Sequence, residues 1–393
     1  MRRIPASVAV LGALTALGVC ACTSGSSGPT DASSGVVAGS AACSVAAATS
    51  TASPTSEISP GTAKGTVGVL LPATGSAGRP AMQRQADLLT TALGEVGLTP
   101  DVHLVEGDDA VFVSVARTMI DEGAEVLIVD SVGSAWGREV ERAADLAGVE
   151  VVDYDRMNAG GSAAYWVSFD YRDVGRLQAQ MMVACLEARG VEKPKVIMVD
   201  GGTDVDQNAV LLAIGAHQVL DPLVSAGTVD LEQETTVKGW ETALAAPAFA
   251  QALDASDGRV DAVLAADDDL ADAVIEVLAQ RSLDSVVVAG QGPGGAGLRN
   301  IVAGRQSTTV FTDPRTEAEA AAQLAVALVS GRATVPLAQV RDPLDPDRLL
   351  EAMLLPGQAI TRANVAAAIR AGALSPGEIC RGIGSDCEAL GLP

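Results

Sequence analysis

The chain has 393 residues, of which 26 are Lys or Arg and 49 are Asp or Glu, giving a formal net charge of −23; 48% are apolar and 3% aromatic. A chain this acidic excludes nucleic acid as a partner, because phosphate backbones are held by clustered Lys and Arg. The length suffices for two ordinary domains, and the composition is that of a soluble globular protein.

In chain order, Met1-Arg2-Arg3 precedes an apolar run over 4–19 broken only by Pro5, Ser7, Gly12, Thr15 and Gly18. That is the order of a secretory signal, and the run is too short for a membrane span. Small Ala21 stands before Cys22, whereas bulkier Val19 stands before Cys20. The stretch resembles the lipobox of bacterial lipoproteins, which predicts cleavage after residue 21 and a lipid on the Cys22 thiol. An ordinary signal with an incidental cysteine is the competing reading. Removing 1–21 takes away Arg2 and Arg3 and no acid, so −23 becomes −25. Residues 22–64 are Ser, Gly, Ala, Thr and Pro with almost no large apolar side chain. Such a segment cannot bury enough surface to offset chain entropy and reads as a flexible tether. Its root-mean-square reach is roughly 35 Å.

From residue 65 short β-branched runs alternate with longer helical patterns. Strands are predicted at 66–71, 102–106, 125–130, 150–155, 165–170, 195–200, 229–232, 262–266, 286–290 and 308–312. Helices are predicted at 81–96, 111–122, 136–147, 174–189, 208–225 and 269–280. This order means parallel sheets covered on both faces with right-handed crossovers. Ten strands exceed one compact domain, so the predicted class is α/β with two doubly wound parallel-sheet lobes. Ligands of such sheets sit at the carboxyl ends of the strands. Here those ends are polar in series: Asp130, Asp153 to Arg156, Asp200 to Asp206, Asp267 to Asp269, Gly290 to Gly292 and Asp313. Capping of the following helix explains part of the acids, and a ligand cleft the series as a whole.

Of six cysteines, Cys380 and Cys387 lie close together in a polar tail over 376–393 and are expected to bond in an exported chain. Cys185 recurs with Val174, Gln178 and Met181 at helical spacing. A buried free thiol is the favoured reading, and a bond to Cys43 the alternative.

Val152-Asp153-Tyr154-Asp155-Arg156, Trp166 to Asp170, Val174-Gly175-Arg176-Leu177-Gln178, Gly202 and Val205-Asp206-Gln207-Asn208-Ala209 together resemble the D-xylose-binding proteins of ABC transporters, within the wider ribose and galactose binder group. Lys238-Gly239-Trp240, Gly290-Gln291, Thr309-Val310-Phe311 and Leu354-Leu355-Pro356 fall in the same order, so the resemblance runs from Thr66 to Ala371. It implies a type I periplasmic-binding fold whose lobes close by hinge motion on a ligand. Three hinge crossings are implied, near Asp170, Thr309 to Phe311 and Thr334. The lobes then comprise 65–169 with 311–334, and 170–310 with 335–375.

Carried over residue by residue, the resemblance assigns ligand contacts to Arg79, Asp155, Arg156, Asp206, Asn208 and Trp240, and Asp267 joins them. The chemistry fits a sugar: hydroxyls need fixed donors and acceptors, and an aromatic face packs on C–H surface. The partners so implied are a small sugar or polyol, an ABC permease, and the membrane through the N-terminal lipid alone. No cofactor or metal is implied, no nucleic acid, and the chain is expected to act as a monomer, outside the cytoplasm. The sequence departs from the family at Pro80, where tryptophan is usual, at Ala266-Asp267-Asp268 for Ser-Asn-Asp, at Gly292 for Asp and at Thr312 for Lys. These changes make the pocket one unit more negative, which implies a larger neutral sugar or polyol, or a ligand carrying an amine.

Several other functions compete. Gly290-Gln291-Gly292-Pro293-Gly294-Gly295 satisfies the dinucleotide pattern, with Asp313 about 20 residues on. It lies late in the sheet, coincides with the family's sugar-contacting Gly-Gln loop, and would sit where NAD is scarce. A hydrolase would need a base, and His103 and His217 stand beside no evident nucleophile. Asp267-Asp268-Asp269 with Asp272 is a conceivable hard-metal set whose side chains diverge along a strand end. A transcription regulator of this core needs a headpiece where the signal and tether stand. A ligand sensor for a membrane receptor stays open beside an importer.

Overall fold

The computed structural model describes residue 43 and residues 63–73, 78–131, 135–331, 337–342, 345, 347–370 and 374–392, without the side chains of Gly78 and Arg79. The signal segment, Cys22 and most of the tether lie outside the described residues, as does the Arg79 side chain.

The first half reads β1 (Thr66–Pro72), α1 (Gly78–Glu95), β2 (Thr99–Val105), α2 (Asp109–Asp121), β3 (Ala124–Val129), α3 (Ala135–Ala147), β4 (Glu150–Tyr154) and β5 (Tyr165–Phe169). The chain continues with α4 (Tyr171–Ala188), β6 (Lys195–Gly201), α5 (Gln207–Ser225), β7 (Asp230–Val237), α6 (Ala245–Ala255), β8 (Ala262–Ala265), α7 (Asp268–Gln280), β9 (Val287–Gly292), α8 (Gly295–Val302) and β10 (Thr308–Phe311). Then come α9 (Pro314–Val329), β11 (Ala338–Arg341), β12 (Leu349–Leu355), β13 (Gln358–Thr361), α10 (Val365–Arg370), α11 (Pro376–Ile379) and α12 (Gly384–Ala389).

Two sheets result, ordered β11-β12-β5-β4-β3-β1-β2 and β13-β10-β9-β8-β6-β7. Their pairings are parallel except at the β11–β12 and β10–β13 edges. The inner strands are buried along most of their length, β3 except at Glu125, β6 beyond Lys195 and β9 throughout, because helices cover both faces. In the second lobe α4 and α5 pack Met182, Leu186 and Leu220 on one face, while α6 and α7 pack Phe249, Leu253 and Leu270 on the other.

The chain crosses between the sheets at Asp170, at Thr312-Asp313 and at Pro356-Gly357. The third crossing departs from the sequence expectation of Thr334, and residues 338–355 join the first sheet instead of the second lobe. Leu349-Leu350-Glu351-Ala352-Met353-Leu354-Leu355 is rich in helix formers. Parallel pairing of Glu351 to Leu355 with Tyr165 to Phe169 overrides that propensity and buries Leu350, Ala352, Met353 and Leu355.

The tether is not free up to residue 64. Cys43 is buried and bonded to Cys185 on α4, so the free thiol favoured from sequence is a disulfide instead. The two residues are 142 apart in sequence, and helical spacing around Cys185 carries no sign of so distant a partner. Ala63 is buried too, and its amide donates to the Val96 carbonyl at 3.2 Å. Cys380 and Cys387 are bonded between α11 and α12.

Candidate functional site

Helix capping explains much of the acidic series at the strand ends. Asp170, Asp206, Asp267 and Asp313 each accept from an amide in the first turn of α4, α5, α7 and α9. Asp206 and Asp267 also line a cavity of about 310 Å³ between the lobes, so capping and cleft-lining fall on the same residues.

Around Arg156 the two lobes meet. Its guanidinium lies 3.3 Å from Asp130, 3.4 Å from Asp155 and 3.2 Å from Asp206. Arg156 follows β4 in the first lobe and Asp206 opens α5 in the second, so this contact spans the cleft. A second bridge runs from Asn208 Nδ2, which donates to the Asp155 carbonyl at 3.0 Å. That carbonyl also accepts from Ser168 Oγ at 2.7 Å and Trp166 Nε1 at 3.2 Å.

One guanidinium cannot neutralise every acid gathered here. Burial, against the pull of Arg156 and with the push of Asp130 and Asp206, raises the Asp155 carboxyl to about 7. Glu317 on α9 is buried beneath, and burial followed by Asp155 and Asp130 raises its carboxyl well above the usual range. Tyr171 OH donates to Asp155 Oδ1 at 3.3 Å.

Trp240 forms another wall. Its backbone is left-handed (φ 61°), and its Nε1 donates to Asp206 Oδ2 at 3.1 Å. The indole lies against Gly201 and Gly202, where a Cβ would come within 2.4 and 2.0 Å of it. At the far end stand Asp267, Asp268, Asp269, Gln291 and Gly292. Burial raises the Asp267 and Asp268 carboxyls to about 7. Asp268 accepts from Gln306 Nε2 at 2.7 Å and Thr309 Oγ1 at 2.9 Å.

Six of the seven residues expected from sequence thus line one cavity: Asp155, Arg156, Asp206, Asn208, Trp240 and Asp267. For Arg79 only the backbone, in the first turn of α1, is described. Sequence reasoning missed Met82, Gln85 and Tyr171. The first two lie on α1 a turn or so beyond Arg79, and helical periodicity was the signal that could have found them.

The glycine pattern does not build a phosphate loop. Asp268 Oδ1 lies 2.2 Å from where a Cβ would stand on Gly290, and Asp268 Oδ2 2.2 Å from one on Gly297. A carboxylate there repels a pyrophosphate. Asp313 caps α9 and pairs with Arg315 at 2.7 Å. His103 is exposed beside Asp101, and His217 on α5 faces Asp221 of the same helix and Glu234 on β7. Among the described residues no three of His, Cys, Asp or Glu are grouped to hold a metal.

Two doubly wound lobes, three crossings and a polar cleft at the carboxyl ends of both sheets define a two-lobed binding protein. A family model described as "Periplasmic binding protein domain" matches residues 67–333, and the chain belongs to that family. The D-xylose-binding periplasmic protein of Escherichia coli (strain K12) is 30% identical over 251 residues, 64% of this chain and 74% of that protein. The multiple sugar-binding periplasmic receptor ChvE of Rhizobium radiobacter is 28% identical over 284 residues, 68% of this chain and 79% of that protein. A carbohydrate transporter solute binding protein from Chloroflexus aurantiacus, solved in complex with D-glucose, superposes with a TM-score of 0.69 at 25% identity, covering 80% of this chain and 98% of that one. The resemblance read from the sequence is borne out as a family membership.

Proposed function

We propose that this chain is an extracytoplasmic solute-binding lipoprotein that captures a monosaccharide-like ligand between its lobes and delivers it to an ABC importer. The observation that carries the reading is a single cavity whose walls come from both lobes and combine Arg156, Asp206 and Asn208 with the face of Trp240. Fixed donors and acceptors suit hydroxyls, and an indole suits the C–H face of a sugar ring. The relatives named for xylose and for multiple sugars, and the neighbour solved with glucose, support the same class. The reading assigns no reaction to the cleft.

A thermal-melt panel of pentoses, hexoses, polyols and amino sugars tests it. The true ligand at one hundred times its dissociation constant adds about 2.7 kcal/mol of stability. A panel in which no member shifts the melt would overturn the reading. The lipid anchor is tested separately: Cys22→Ser should move the protein from the membrane fraction to the soluble one. A second reading, a sensor for a membrane receptor, is favoured by the word receptor in the name of the Rhizobium relative. Uptake of labelled ligand that survives deletion of this chain would favour it over the importer.

A further inference from the structure

One wall of the cleft has almost no side chains with which to hold itself. It is the turn from β9 into α8, Gly292-Pro293-Gly294-Gly295-Ala296, and each of these residues lines the cavity. Glycine loses more backbone freedom on ordering than any other residue, so a wall rich in it is fixed by what packs against it. The helix gives little help. Gly294 at the N-cap of α8 makes no side-chain bond to the first turn, whereas α4, α5, α7 and α9 are each capped by an Asp.

Two neighbours supply the hold. One is Asp268, whose carboxylate takes the places of the missing Cβ atoms of Gly290 and Gly297. The other is the C-terminal tail: a Cβ on Gly295 would come within 2.9 Å of Ile379 Cδ1 and 3.3 Å of Leu374 Cδ1. At Gly295 the wall is a single backbone thick, with the cavity against one side and the tail against another. Ile379 is fully buried and shares an apolar cluster with Leu298, Ile301 and Val302 of α8. The tail that carries it, residues 374–392, lies beyond the stretch that resembles the sugar binders. Its helices α11 and α12 have four and six residues, far below the length at which a helix persists alone. The Cys380–Cys387 bond joins them and limits the freedom the tail would regain on leaving α8.

We propose that the disulfide-closed tail is a working part of the cleft, with Ile379 and Leu374 as positioning residues that hold the wall from Gly292 to Ala296 and so set the room a ligand has at that end. This rests on the solute-binding reading and adds to it residues that act through the wall.

The test combines hydrogen exchange with calorimetric titration by D-xylose and D-glucose, which differ by one hydroxymethyl group. It is run on Ile379→Ala and on Cys380→Ser with Cys387→Ser, well below their melting temperatures. The amides of Leu298 and Arg299 close the first turn of α8 onto Gly294 and Gly295, and in both variants they should exchange about tenfold faster. Affinity for D-glucose relative to D-xylose should rise several-fold as the wall recedes. Ile379→Val should recover the parent's values. Cys43→Ser with Cys185→Ser removes a bond outside the cavity lining, and it should lower the melt while moving neither readout. Unchanged exchange at Leu298 and Arg299, or an unchanged sugar ratio beside faster exchange, overturns the positioning role and leaves the solute-binding reading standing. The same changes in the Cys43 and Cys185 variant overturn it too, since general loss of stability would then explain them. A parent that binds neither sugar counts against the solute-binding reading, and the exchange at Leu298 and Arg299 still decides whether the tail holds the wall.

Discussion

Asp155 holds a left-handed backbone (φ 58°), a conformation that costs a non-glycine residue about 1 kcal/mol and persists only where its surroundings impose it. Three hydrogen bonds to its carbonyl impose it here, from Trp166, Ser168 and Asn208. The result aims Asp155 and Arg156 together into the cleft. Arg156→Ala would leave Asp130, Asp155 and Asp206 without their shared cation. We expect it to cost about 3 kcal/mol in a urea melt and to abolish ligand binding. Loss of binding with unchanged stability would show that the carboxylates do not depend on the guanidinium. The raised carboxyls carry a pH signature. Asp155, Asp200, Asp267 and Asp268 titrate at about 7 when folded against an ordinary 3.8. Between those values the folded chain holds more protons than the unfolded one. Their contribution is therefore fully present below about 4 and is lost as pH rises through 7. The melting temperature of the ligand-free protein should fall from pH 5.5 to pH 8.5 at constant ionic strength, and a rise over that span would contradict the buried-carboxyl picture.

At the scale of elements, the second lobe depends on how closely α4 and α5 approach. Gly175 faces the Leu212 carbonyl and Gly215 the Arg172 carbonyl, and a Cβ at either would stand 2.0 Å from that oxygen. Only bare backbone fits. Because α4 starts at the first crossing and α5 starts at the Asp206 cap, the spacing of these helices sets where Arg156 and Asp206 meet. Gly175→Ala should cost about 1–3 kcal/mol by overpacking and weaken ligand binding in step. Calorimetric melting and titration of the same variant check both, and a neutral change would mean that the helices part without cost.

For the whole molecule, the Cys43–Cys185 bond ties the segment before β1 to the second lobe, although β1 itself lies in the first. It closes a loop spanning 142 residues of chain, so its removal frees much unfolded-state entropy. Cys43→Ser with Cys185→Ser should cost about 2–5 kcal/mol, read from denaturant midpoints with Cys380–Cys387 intact. Equal midpoints in parent and double variant would mean that the bond adds no stability. The loop it closes contains the first crossing at Asp170, whereas those at Thr312-Asp313 and Pro356-Gly357 lie outside it.

Much of this was legible in the amino-acid order alone, wherever the controlling physics is local. Strand and helix alternation, the acids that cap α4, α5, α7 and α9, and the polar series at strand ends follow from periodicity and capping within a few residues. The family motifs then carried five cleft residues, Asp155, Arg156, Asp206, Asn208 and Trp240, to their positions, and Asp267 stands where the chain departs from those motifs. What the order of residues did not reveal depends on partners far apart in sequence. β12 is a strand because β5 lies beside it, against its own helical composition. Cys185 is bonded because the chain returns Cys43 to α4. Asp267 both caps a helix and faces the cleft, because in the tertiary structure β8 ends and α7 begins at the cavity wall. The charge state of these carboxyls was likewise decided by burial, which is a property of the assembled lobes and of no short stretch of chain.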